Sequence, residues 1–322
     1  MKRDRRTAKR KVRRSRRGFV IAGIAVFALV DAALVGIALT SPGGGLGGVP
    51  AGGDAAPAAQ PSASGSPTTP ESAPTASAAP QLTPPTSKLS AVDATTAYRA
   101  ASGTCSPTTT AVLEKTTDGG ETWSAAPVFT GMATVLRVEA VSSTYAYLVG
   151  LQSQGCQPTV ALTYTSGADF VNSPERLSSN WYADPATPSV VHSSSGVTVA
   201  APCAQVVQLA SVDDTHAAVL CSDGQVFQTA DAGATWGAAG YAPGVTAVGA
   251  DEDGYLLAVA EVPTCEGVEV QRLALEGTAA TAAGCAPVPA GGRAEVVTSG
   301  AGAVWLGAGG ATFVSDDGGA TW

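Results

Sequence analysis

From Leu89 onward the apolar residues come in short runs of Val, Leu, Ala and Thr, broken by Gly, Asp and Ser. That is the punctuation of strands and turns, and no stretch in this part carries a convincing helical period. Two earlier stretches read differently. Gly18 to Thr40 is an apolar run of 23 residues with one charge, Asp31. At about 1.5 Å per residue it predicts a helix long enough to cross a bilayer core. Residues 41–88 hold ten prolines among Ser, Thr, Ala and Gly, and almost no large apolar residue. Such a segment has little to bury and is expected to be a disordered tether. The pattern divides the chain into a tail (1–17), a transmembrane helix (18–40), a stalk (41–88) and one all-β domain (89–322).

Within the β domain the pattern repeats. Five units line up, opening at Leu89, Thr134, Val206, Val245 and Ala294. Three of them end on Ser/Thr-x-Asp-x-Gly-x-Thr-Trp. The copies are Thr116, Asp118, Gly120, Thr122, Trp123; Thr229, Asp231, Gly233, Thr235, Trp236; and Ser315, Asp317, Gly319, Thr321, Trp322. A fourth, Thr163 to Phe170, carries Thr165 in place of Asp and Phe170 in place of Trp. The residue types fit a tight hairpin. The carboxylate accepts from nearby N–H and hydroxyl groups, Gly supplies a positive φ, and Trp folds under the turn. These aspartates are therefore expected to be structural, with neither a catalytic nor a metal-binding role.

The motif resembles the Asp box, or bacterial-neuraminidase repeat, of β-propellers such as sialidases, sortilin-type receptors and the photosystem II assembly-factor family. The resemblance implies a propeller of about five four-stranded blades, with six as the alternative. Each blade would run from strand A to strand D, with the box as the C–D turn. The A–B turns would share the face of the boxes, and the B–C and D–A loops the opposite face. In that register Asp213-Asp214 and Asp251-Glu252-Asp253 fall in A–B turns, as solvated turn residues rather than a calcium site. Cys105, Cys156, Cys221 and Cys265 fall in B–C loops, and Cys203 and Cys285 lead into the next A strand. All six cysteines share one face. Six cysteines allow fifteen pairings, and proximity in this register favours Cys105–Cys156, Cys203–Cys221 and Cys265–Cys285. A zinc site is the weaker reading, because no Cys-x-x-Cys pair is present. The fifth unit ends at Trp322 without a D strand, so Gln81 to Leu89 is expected to pair with its C strand and close the ring.

Charge adds the topology. The first 17 residues hold 11 of the 18 Lys and Arg, whereas 7 basic residues face 24 acidic ones after Thr40. The positive-inside rule puts the tail in the cytoplasm and the β domain outside, on the cell membrane. No Ala-x-Ala follows the apolar run, so the anchor is expected to stay uncleaved. An acidic body repels nucleic acid, which is excluded as its partner. Disulfides agree with an exported domain. The segment between units two and three carries the densest mix of aromatic and polar groups: Arg176, Trp181, Tyr182 and Asp184, with His192 beyond. It is a candidate binding surface, with an outer strand and an inward-packed Trp181 as the alternative. Sialidase resemblance would require an arginine cluster, a Tyr–Glu nucleophile pair and an acidic proton donor. The domain has five arginines, none in an Arg-Ile-Pro sequence. The expected function is a non-catalytic binding or scaffold module for a protein or glycan of the cell envelope. A sialidase-like exo-glycoside hydrolase is the alternative. No cofactor and no metal are implied.

Overall fold

The alternation of apolar and small polar residues resolves into antiparallel strands in a computed structural model, which describes residues 81–128, 131–238, 244–289 and 291–322. The expected tail, membrane helix and most of the stalk lie outside the described residues. Among those described, no helix is long and apolar enough to cross a membrane.

The strands form six sheets. Blade one is β1 (Ser87–Ala91), β2 (Ala97–Ala101), β3 (Val112–Thr116) and β4 (Ser124–Pro127). Blade two is β5 (Met132–Ala140), β6 (Ala146–Gln152), β7 (Pro158–Thr163) and β8 (Val171–Asn172). Blade three has three strands: β9 (Tyr182–Ala183), β10 (Val190–His192) and β11 (Thr198–Ala200). Blade four is β12 (Val206–Ser211), β13 (Ala217–Cys221), β14 (Val226–Thr229) and β15 (Gly237–Ala238). Blade five is β16 (Val245–Asp251), β17 (Gly254–Ala260), β18 (Val268–Ala274) and β19 (Ala280–Ala286). Blade six has β20 (Val296–Gly300), β21 (Ala303–Ala308) and β22 (Ala311–Ser315). The chain is thus an all-β propeller of six blades. The blade beyond the five units is the stretch between units two and three.

The core is divided among the blade interfaces. Leu113 and Leu148 meet between blades one and two, and Val160 and Tyr182 between two and three. Trp181 and Val219 meet between three and four, Leu220 and Leu257 between four and five, and Leu256 and Leu306 between five and six. The ring closes between blades six and one, where Trp305 packs on Ala91 and Ala97. There the Trp305 indole N–H donates to Asp93 O at 2.9 Å.

The repeated turns are built as their residue types require. In the second, the Thr229 hydroxyl donates to Asp231 (2.8 Å) and accepts from Gly233 N–H (2.9 Å), while Asp231 accepts from the Thr235 amide (2.9 Å). The turns at Asp118 and Asp317 repeat these bonds, and Gly120, Gly233 and Gly319 sit at φ 88°, 89° and 94°. Trp123 and Trp322 each return an indole N–H to the turn, at Gly120 O (3.1 Å) and Gly319 O (2.9 Å). Hydrogen bonds from Thr122, Thr235 and Thr321 hold the three carboxyls down at about 2. In the fourth copy, Thr165 accepts from the Asp169 amide at 2.8 Å, a hydroxyl serving where the others have a carboxylate.

These turns and the β1–β2, β12–β13 type turns define one face of the ring, the turn face. The opposite face carries the cystines, which pair as Cys105–Cys156, Cys203–Cys221 and Cys265–Cys285 with Cα separations of 5.8, 6.2 and 5.6 Å. The segment before β1 does not pair with β22. It crosses the cystine face as a strap. Leu82 N–H donates to Ser222 O (2.7 Å) in blade four, and Thr86 O accepts from Ser102 N–H (2.7 Å) in blade one. The cause is physical: Leu82 is the strap's one large apolar residue and packs on the cluster between blades four and five. Pro84 and Pro85 cannot donate to a ladder. β1 starts at Ser87, two residues before the expected boundary.

Because the turn carboxyls have folded pKa values of about 2, below their unfolded values, they add stability above pH 4 that is lost as pH falls towards 2. Asp231→Asn should lower the Tm by about 2–4 °C at pH 6. The gap to the wild type should close as pH approaches 2. Thermal melts across that range check it, and a gap that stays constant with pH would contradict it.

Candidate functional site

The inner strands β1, β5, β12, β16 and β20 stand around the propeller axis and run from the cystine face to the turn face. Blade three breaks this order. Trp181, just before β9, donates its indole N–H to Asp213 O (3.0 Å), and Ser194, in the β10–β11 turn, donates to Asp214 O (2.9 Å). Asp213 and Asp214 lie in the β12–β13 turn, so both points are on the turn face. The β9–β10 loop lies at the other end, where Pro188 O accepts from Val206 N–H at 2.9 Å. β9 therefore runs opposite to the inner strands on either side of it. The aromatic contacts agree. Tyr98 of β2 donates to Ser143 O in the next blade (2.8 Å), and Trp305 of β21 donates to Asp93 O, as Trp181 does to Asp213 O. Trp181 thus marks a second strand, and blade three consists of B, C and D strands without an A strand.

A cavity of about 830 Å³ lies on the axis, lined by the inner strands and by Trp181 to Asp184. Elsewhere the ring is drawn tight. A Cβ on Gly249 would collide with Val297 backbone, and one on Gly300 with Ala91 backbone, so glycine is what lets β16, β20 and β1 approach. The Gln208 amide spans the same side. It donates to Glu295 O and accepts from Val248 N–H (2.8 Å).

Six charged residues line the cavity: Lys88, Arg137, Glu139, Asp184, Asp251 and Glu252. A β-bulge between Val135 and Arg137 shifts the register of β5. It turns Arg137 and Glu139 to the blade-three side, while Val138 packs towards blade one. Arg137 pairs with Glu139 at 2.7 Å and donates to Trp181 O at 3.4 Å. Burial is the largest influence and works against the Arg137 charge, but Glu139, through its charge and its hydrogen bond, and Tyr147 together outweigh it and hold the guanidinium above its ordinary value. Lys88, on β1, lines the cavity near the strap, and burial pushes its ammonium down to about 8. Among the described residues it has no ion-pair or hydrogen-bond partner. Asp251, on the turn-face rim, forms an ion pair with Arg272, which also donates to Gly318 O (2.9 Å) in blade six.

The sequence-predicted binding residues separate. Trp181 and Tyr182 are buried, with Trp181 in the core between blades three and four. Tyr182 stacks on His192 with ring centroids 4.3 Å apart. Asp184 lines the cavity and caps its loop by accepting from Ala186 N–H at 2.8 Å. Arg176 is exposed on a short 3-10 turn, Pro174–Ser179, outside the cavity lining. Asp213 is a turn residue that accepts from the Thr215 (2.7 Å) and His216 (2.8 Å) amides. Sequence reasoning missed Lys88, Arg137 and Glu139. Their signal was present: charges inside the alternation of two innermost strands.

No protein-family profile and no curated protein matches the chain. Among solved structures it is similar to a GH74 enzyme of Niastella koreensis, at 14% identity and TM-score 0.40, over 71% of this chain and 45% of that one. The chain thus spans less than half of that enzyme. It is also similar to YCF48 bound to D1 peptide (17% identity, TM-score 0.27, 74% and 68% covered). A third is the WD40 β-propeller domain of Doa1 (11%, 0.38, 74% and 97%). No assignment of chemistry rests on these likenesses.

Glu139, Asp184 and Asp251 are each committed to a structural partner and Glu252 is exposed, whereas the Lys88 ammonium is drawn into the cavity wall with no partner among the described residues. Its depressed pKa means that charged Lys88 destabilises the fold below pH 8, a penalty that fades as pH rises towards the unfolded value of 10.5. Lys88→Met should therefore stabilise the domain by about 1–3 kcal/mol at pH 7. The gain should shrink above pH 8, as followed by denaturant unfolding. A destabilised variant at pH 7 would show that Lys88 has a partner.

Proposed function

We propose that this chain is a membrane-anchored, extracytoplasmic β-propeller of the Asp-box type, acting as a non-catalytic binding or scaffold module for a protein or glycan of the cell envelope. The observation that carries the reading is the axial cavity of about 830 Å³, on which apolar and polar wall residues, strand edges and an unpartnered ammonium converge. A concave site with a few placed polar groups is the usual form of a ligand pocket. The basic tail and the apolar run of residues 18–40 support anchoring, and three cystines support an oxidising compartment. The hydrogen-bonded turns at Asp118, Asp231 and Asp317 support the Asp-box assignment.

The hydrolase alternative would need arginines that converge on a substrate carboxylate. Arg99 pairs with Glu114, Arg137 with Glu139, Arg272 with Asp251 and Arg293 with Glu261, on different parts of the ring. That dispersal weighs against it. Full-length protein, immobilised and exposed to cell-envelope extract, should retain a partner that Lys88→Glu combined with Arg137→Gln retains at least tenfold less. Equal recovery on both, or turnover of a fluorogenic sialoside by the wild type, overturns the reading.

A further inference from the structure

We propose that the axial cavity takes an extended peptide segment of a partner protein, which pairs with the open edge of β9 and supplies the inner strand that blade three lacks. This rests on the binding reading above and names its ligand.

The open edge is defined by the ladder. Asp184 N–H donates to Val190 O at 3.1 Å, so Asp184 and, two residues back, Tyr182 point their backbone groups at β10. Alternation turns those of Trp181 and Ala183 the other way, into the space where an A strand stands in the other blades. Trp181 O is met there by Arg137, through a long 3.4 Å bond. Among the described residues the Ala183 N–H and C=O have no partner. An unpaired donor and acceptor on one residue, at strand spacing and in an enclosed space, match the backbone of another strand.

The walls fit the same guest. Leu136 of β5 and Leu209 of β12 line the cavity from its two sides, and both are only half-buried. Side chains alternating along an inserted strand would cover one and then the other. Near the cystine-face end waits the unpaired Lys88, which asks for a carboxylate on the guest. The strap crosses the mouth from blade four to blade one and is tied to the blade-six side by Thr86, whose hydroxyl donates to Glu295 at 2.7 Å. The half of the mouth over blades two and three is thus the side to which the strap is not tied. The chain's own stalk is the poorer guest. Residues 41–80 carry eight prolines, each lacking a ladder donor, and two acidic residues, Asp54 and Glu71.

The test is selection of a displayed library of random twelve-residue peptides on the full-length protein. Enriched sequences should share a proline-free alternating run with one Asp or Glu. A synthetic winner is then made with backbone N-methylation at its even or at its odd residues. One of the two should lose binding at least tenfold while the other keeps it, and amide exchange at residues 181–184 should slow in the complex. Lys88→Gln should weaken the acidic peptide about tenfold and leave its Asn counterpart unchanged. If both methylated peptides bind like the parent, or protection falls elsewhere, strand pairing is wrong although the binding reading stands. The inference also fails if no peptide is enriched while an envelope partner is still retained. Displacement of the winner by a peptide of residues 41–80 would assign the edge to the chain's own stalk, and displacement by a second copy to self-association, either of which overturns it.

Discussion

A twisted four-stranded sheet with two apolar faces and no helix to cover either depends on a neighbour at each side, so every blade of this ring depends on the ring being closed. Many propellers could meet that demand by sharing strands between the chain ends. In this one the closing interface is made of side chains. Trp305 is fully buried against Ala91 and Ala97, anchored by its bond to Asp93 O, with Trp123 edge-on at 6.5 Å. Gly300 removes the one Cβ that would hold β20 off β1. Packing of this kind is intolerant of a methylene gained or lost. It fixes the distance between blades six and one, and through it the sector that each other blade must fill.

Blade three fills its sector with less chain. Its two faces are satisfied by Val191 and Trp181 packing towards blade four and by Tyr182 packing towards blade two. The shortage falls wholly on the axis. Space there cannot be closed by collapse, because the flanking strands β5 and β12 are held by their own blades. The electrostatics follow. An ion pair such as Arg137–Glu139 survives beside a cavity because the two charges face each other and Trp181 O takes a further guanidinium hydrogen. Lys88 has no such compensation, and its lowered pKa is the consequence.

The parts of this structure that were legible in the sequence are those whose chemistry is local. The turns at Asp118, Asp231 and Asp317 need residues within eight positions of one another, and the register they set was enough to place all three cystines. Blade three escaped because its C–D turn is built differently. Ser193 and Ser195 share a hydroxyl–hydroxyl bond of 2.8 Å where the turns at Asp118, Asp231 and Asp317 use a carboxylate, so the Asp that flags the repeat is missing. Trp181 was the readable trace, standing where Tyr98 and Trp305 stand in their blades. It suits a binding aromatic as well as the inward-packed residue that it is, because nothing local says that its indole meets a carbonyl 32 residues away. The path of the strap is hidden for the same reason, because it is set by where Leu82 can be buried, in the cluster between blades four and five, and not by the edge of β22.

The distribution of stiffness follows from these constraints. On the cystine face Cys105–Cys156 joins blade one to blade two, Cys203–Cys221 braces blade four, and Cys265–Cys285 braces blade five. Blade six is held by tryptophan and glycine packing against blade one. The strap adds a chord from blade four to blade one. Blade three receives none of these within its own strands. Its last strand ends at Ala200, three residues before Cys203, so the brace begins just beyond the blade. A ring braced by cystine or by close packing at every sector but one keeps its diameter when that sector is loosened. The cavity beside β9 is therefore bounded by walls that hold their positions whether or not the open edge is paired, which is the condition under which backbone hydrogen bonds to that edge are gained without reorganising the rest of the fold.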